Sequence, residues 1–175
     1  VMKRAANGLL YPDSAALVDV GVGRDLAVMD KNQTGVAWYP KPDSGERFGK
    51  GSTRDLKPGP GVLEQAVANA KSGDVIRLSP GDYLVSKVLI IDKPLTISGS
   101  GKAKIEFERT TLFEIADGGS LELTGLAISG GSAPDNVGNS VVRSSRYSML
   151  VNYELRIENS KFVDLDVNRH FNILN

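Results

Sequence analysis

Residues of the types that grip anions and move protons gather late in the chain: Arg143, Arg146, Tyr147, Tyr153, Arg156, Lys161, Arg169 and His170. An arginine fork holds a carboxylate through two parallel N–H···O bonds. A tyrosine ring lies against a sugar face while its hydroxyl donates a hydrogen bond. Taking a proton from the carbon next to a carboxylate, with loss of an oxygen leaving group, needs three functions. The carboxylate must be neutralised, a base must take the proton, and an acid must protonate the leaving oxygen. Lys161, Tyr147 and His170 suit base or acid, and Arg169 or Arg156 suits the neutraliser. Arg143, Arg146, Tyr153 and Arg156 suit substrate binding. No local motif joins these residues, so a reading in which each is solvated stands beside the chemical one. For His170 that second reading is packing near Phe171.

Such side chains converge only if the backbone repeats. From Asp74 onward the chain reads as short strands of alternating pattern, most broken by Gly, Pro, Asp or Asn. They run over 75–78, 83–85, 88–91, 95–98, 104–107, 112–115, 121–123, 126–129, 141–143, 149–151, 155–158, 162–165 and 171–174. Three segments share a physical pattern: Leu95-Thr-Ile, Leu126-Ala-Ile and Leu155-Arg-Ile, starting 31 and 29 residues apart. That spacing suits a stacked solenoid. The paired aliphatics face inward, and Thr96, Ala127 and Arg156 face outward. A β-sandwich with a helix at one edge is the competing architecture. One helix is predicted over Val62 to Lys71, with Val62, Ala66, Val67 and Ala70 on one face and Gly73 beyond its end. It needs a surface to dock on, and the open edge of the first coil supplies one.

Several chemistries drop out. The chain has 175 residues, no cysteine, one histidine and a formal net charge of zero. Thiolate catalysis is excluded, a structural zinc site lacks ligands, and no basic stripe addresses nucleic acid. Ser98-Gly-Ser-Gly-Lys102 looks like a phosphate loop but lacks the first glycine and the final Ser or Thr, and it leads into a strand. Asn32-Gln-Thr34 is a chance-level glycosylation match. Oxygen donors for calcium are plentiful, Asp164 and Asp166 among them, without a defined ligand set. No apolar run approaches the length of a membrane span, and residues 1 to 12 do not read as a signal peptide.

Residues 1 to 60 read as an irregular extension or linker, possessing brief apolar patches at Val18 to Val22 and Val36 to Tyr39, and as the tail of a preceding domain. Residues 43 to 61 in particular read as a loop. Residues 61 to 175 read as the solenoid, incomplete at its C-terminal end. The final strand has no cap, so contact of the open last coil with another chain or a missing segment is expected.

The stretch from Pro60 to Tyr83 resembles the opening of parallel β-helix polysaccharide lyases, where a capping helix is followed by Gly-Asp-x-Ile-x-Leu-x-x-Gly-x-Tyr. Here those positions are Gly73, Asp74, Ile76, Leu78, Gly81 and Tyr83. The similarity runs from about Pro60 to Asn175. It is specific for architecture; pectate lyases, glycosidases, epimerases and phage tailspikes share it. The coil signatures, Asn168-Arg-His-Phe171 and Thr34-Gly-Val-Ala-Trp-Tyr-Pro40 look most like the alginate lyase and chondroitinase-B-like group. The last segment resembles the close of a catalytic domain in multidomain members, with an accessory β-helix following.

The resemblance implies an all-β, right-handed parallel β-helix with a short N-terminal capping helix. It implies β-elimination on alginate or a related uronate polymer by the whole protein, secreted or periplasmic, with an acidic polysaccharide as partner and neither nucleic acid nor membrane. A non-catalytic binding module and a tailspike-like assembly module remain as alternatives. Calcium is possible by resemblance; no cofactor is assigned from the residues. Members use a lysine and an arginine on central coils, and an Asn-His-Phe motif with a downstream lysine. Arg169-His170-Phe171 matches part of that motif and no lysine follows, so no catalytic residue is carried over.

Overall fold

A computed structural model of the chain describes residues 2–4, 10–12, 47–134, 138–145, 153–165 and 172–174. The chain divides into two compact units, Val1–Asp43 and Ser44–Asn175. In the first, strands β1 (Met2–Arg4) and β2 (Leu10–Pro12) pair antiparallel, within a region the sequence reads as irregular. The patches at 18–22 and 36–39 lie outside the described residues.

Among its described residues the second unit is β-strand with one helix. Its elements are β3 (Thr53–Leu56), α1 (Val62–Asn69), β4 (Val75–Leu78), β5 (Gly81–Val85), β6 (Leu89–Ile91), β7 (Pro94–Phe107) and β8 (Thr111–Ile115). After these come β9 (Ser120–Ser129), β10 (Ser140–Ser144), β11 (Leu155–Glu158), β12 (Lys161–Val163) and β13 (Asn172–Leu174). The pairings described in this unit are all parallel. One sheet runs β3-β4-β7-β9-β11, with β5 and β12 on the second halves of β7 and β9; the other runs β6-β8-β10-β13. Parallel neighbours need a long return. Here the return is the visit to the other sheet, so each turn of chain lays one strand on the strand of the turn before.

Alternation decides what faces in. Ile76, Ile97, Leu123 and Ile157 form one cross-strand row, and Tyr83, Ile105, Ile128 and Phe162 a second. Leu89, Phe113, Val142 and Leu174 make a third row in the other sheet. Ile97, Leu123, Ile105, Ile128, Phe113 and Val142 are wholly buried. Each such side chain contributes about 1.5–3 kcal/mol when taken fully from water, and no turn could bury its face alone.

The register differs from the sequence expectation at one point. Leu95 pairs with Leu121, and Leu121 with Leu155. Leu126 instead pairs with Ala103 in the second row. The true counterpart of Leu95-Thr-Ile and Leu155-Arg-Ile is therefore Leu121-Glu-Leu123. The cause is that β7 and β9 each run through a corner and serve two rows. The corner in β7 is a register shift between Ser98 and Ala103, on the segment that mimics a phosphate loop. Glycine is required there: a Cβ on Gly125, whose φ is +64°, would lie 2.4 Å from the carbonyl oxygen of Gly99.

The helix ends two residues earlier than the pattern suggests, at Asn69, and buries Leu63, Ala66 and Val67. It packs on β3, β5 and β6. β3 lies inside the stretch read as a loop. Its Thr-Arg-Asp-Leu sequence is exposed over three of four positions, so it carries no apolar alternation to betray a strand.

Candidate functional site

Outward positions of successive turns stand in register, and charged side chains there meet their neighbours one strand away. Thr96, Glu122 and Arg156 form one such column. The Thr96 hydroxyl donates to Glu122 Oε2 at 2.8 Å, and Arg156 donates from NH1 to Glu122 Oε1 at 3.0 Å and from NH2 to Glu154 Oε1 at 2.8 Å. The Arg156 guanidinium also lies 5.0 Å from the centre of the Phe48 ring, a cation–π distance.

On the other sheet Arg143 stands over Glu114. Both Nε, at 2.9 Å, and NH2, at 2.5 Å, donate to the same oxygen, Glu114 Oε2. A third outward group lies on the second row. Lys104 bonds Glu106 at 2.9 Å, and Ser132 donates to the other Glu106 oxygen. The Ser132 bond and then Lys104 hold the Glu106 carboxyl below its ordinary range, and Glu106 raises the Lys104 ammonium. Beside them Ser129 donates to Asp164 Oδ2 at 3.0 Å.

Of the residues singled out in the sequence, Arg143 and Arg156 are thus both engaged by carboxylates. Lys161 is exposed, on the row beyond Ala127. Tyr153 is half-buried and packs against the core. Arg146, Tyr147, Arg169 and His170 lie outside the described residues, as do Asp166 and Asn32-Gln-Thr34. Sequence reasoning missed the carboxylates Glu106, Glu114 and Glu122, and weighed Glu154 only as an oxygen donor for calcium, where the structure pairs it with Arg156. For Glu114 and Glu122 the signal was cross-strand register, which single-sequence patterns do not carry; Glu106 and Glu154 stand two residues from Lys104 and Arg156 on the same strands, a spacing the sequence does show. Among the described residues no three His, Asp or Glu side chains gather as a metal ion would need.

Comparison with solved structures decides the kinship. The chain matches the PL6 family alginate lyase AlyGC over 100% of its own length at 41% identity, with a TM-score of 0.71. A point mutant of that lyase matches 91% of the chain at 42% identity, with a TM-score of 0.63. The chain is related to the PL6 polysaccharide lyases. It spans about a quarter of that lyase, 24% of its length. No family model and no curated protein matches it.

For this relative of the PL6 lyases, the Gly73-to-Tyr83 motif is architectural. Gly73, at φ +81°, donates its N–H to the Pro94 carbonyl at 2.7 Å and accepts from Gly51 N–H at 2.8 Å. Asp74 accepts from the amides of Ser52 and Lys71, both at 2.8 Å. The Lys71 amide, then that of Ser52, keeps its carboxyl below the ordinary aspartate value. Ile76 and Leu78 are core. A Cβ on Gly81 would meet Pro58 Cγ at 2.6 Å. Tyr83 is 1% exposed and donates to the carbonyls of Leu56, at 2.7 Å, and Ser79, at 3.0 Å. Burial pushes its phenol up. The polar positions of the motif tie the start of β4 to the lead-in of β3 and to Leu56, and the apolar ones fill the interior.

Proposed function

We propose that the whole protein cleaves a uronate polymer of the alginate class by β-elimination, and that this chain contributes an accessory stack of coils to it. The lyase reading rests on 41% identity along the full chain to a PL6 alginate lyase. In this reading the two parallel sheets are faces of a right-handed parallel β-helix, the hand that parallel crossovers take almost without exception, and α1 caps its first turn. Residues 1 to 60 hold the end of a preceding domain and the lead-in, with the first sheet row starting as early as Thr53. A polymeric uronate is met outside the cytoplasm, which favours a secreted or periplasmic enzyme.

The observation that carries the accessory role is the state of the candidate arginines. Arg143 and Arg156 are neutralised by carboxylates of their own unit. A guanidinium so engaged is a poor neutraliser for a sugar carboxylate, because binding would first have to break charge-assisted bonds. The catalytic alternative keeps Lys161 as base, with Tyr147, His170 and Arg169 as partners; Arg146 and Tyr153 would then line the substrate.

Incubating the purified chain with alginate and following the ultraviolet absorbance of unsaturated product separates these readings. No product, with retention on immobilised alginate, is the expected result. Product formation would replace the accessory role with a catalytic one. Neither product nor retention would remove alginate handling from this chain.

A further inference from the structure

We infer that residues 47–52 form a strap laid along the outer face of the first sheet, fastened at its upper end by Phe48 beneath Arg156. The lower end is pinned at the turn of β4. Gly51 N–H donates to the Gly73 carbonyl at 2.8 Å, Ser52 N–H donates to Asp74 at 2.8 Å, and the Ser52 carbonyl accepts from Val75 at 2.9 Å. No side chain fits at position 51, since a Cβ there would lie 2.4 Å from Asp74 Oδ1.

The upper end is Phe48. It is 4% exposed, yet it is not part of the interior cluster. Its ring lies under the guanidinium of Arg156, an outward residue on β11. From β4 to β11 is three strand steps, about 14 Å. Three residues of chain, from Gly51 back to Phe48, span at most about 10 Å. The arginine closes the difference by reaching down the stack, where it also meets Glu122 on β9. Thr96, in register with Glu122 one strand lower, points outward but is only 5% exposed. A strap across this column accounts for that burial.

Arg156 is thus a fastener. Glu122 and Glu154 fix the plane of its guanidinium, and the plane seats the aromatic ring. While fastened, the strap covers the Thr96 end of the Thr96–Glu122–Arg156 column and leaves the Arg156 side chain 30% exposed at the other.

Hydrogen exchange of the full chain, read by mass spectrometry over peptides covering 47–56, tests it. Phe48→Ala should speed exchange at the Gly51 and Ser52 amides about tenfold or more, because local opening then lacks its apolar anchor. Peptides over 94–129 should stay at the unaltered protein's rate. Arg156→Lys keeps the charge for Glu122 but loses the planar seat, and should give a smaller rise in the same peptide. Unchanged exchange over 47–56 in Phe48→Ala would overturn the strap, as would an equal rise across 94–129. If Phe48→Ala does not fold, Arg156→Lys alone decides: a rise confined to 47–56 supports the fastener and no rise refutes it.

Discussion

The middle turns and the last described turn carry the same kinds of side chain in the same register, yet only the middle ones are sealed. Leu121 and Leu123 on β9 are wholly buried. Leu155 and Ile157, their partners on β11, are half-buried, and so is Phe162 beside Ile128. At the far end of the other sheet Leu174 is 52% exposed although its partner Val142 is buried. Hydrophobic side chains in a stacked sheet gain their burial from the turn above and the turn below. Burial is therefore a property of position in the stack, and residue type sets only its upper limit.

That contrast can be broken most directly by cutting equivalent side chains. Leu123→Ala should cost about 2–5 kcal/mol, the range for truncating a sealed core aliphatic. Ile157→Ala should cost about half as much or less, since part of its surface is already in water. Urea unfolding of the two variants checks the difference, and equal losses would mean that stacking does not govern burial here.

The first turn differs from both, because polar staples are added to its buried aliphatics. Tyr83→Phe keeps the packing and strips the donor from the Leu56 and Ser79 carbonyls, so a loss of about 1–3 kcal/mol is expected by the same denaturation. Asp74→Asn should cost about 1 kcal/mol, since the amides that donate to it sit near solvent. Asp74 also sets a pH dependence. Its folded pKa is lowered, so its contribution is complete above about pH 4, the ordinary aspartate value, and fades as pH falls through the lowered one. Stability measured from pH 6 downward should decline less steeply in Asp74→Asn than in the unaltered chain.

The smallest effect is expected on the outer face. Arg143 and Glu114 are each more than a fifth exposed at their side chains, so a double-mutant cycle should return a coupling of about 0.2–1 kcal/mol. A much larger coupling would make the outer ion pairs as important as the stacked interior.

Much of the fold was legible because period-two alternation is a local property. The strands at 75–78 and 155–158 fall where the pattern puts them, and the helix at Val62 stands within two residues of its expected end. β3 was not legible, since an exposed edge strand needs no alternation. The candidate arginines were legible as cations but not as paired cations, because Glu114 and Glu122 lie 29 and 34 residues from Arg143 and Arg156.

By itself the sequence determined which side chains face inward: Leu95 and Ile97, Leu126 and Ile128, Leu155 and Ile157 all do so, as strand geometry demands of residues two apart. Only the tertiary structure decided which of them stack. In-register partners are separated by 22, 21, 26 and 34 residues in successive pairings, as at Asp55 and Arg77, Val75 and Thr96, Thr96 and Glu122, and Glu122 and Arg156. Each corner and loop absorbs a different length of chain before the strand returns. Register is set where backbone amides meet carbonyls across turns, and no fixed period along the chain encodes that meeting.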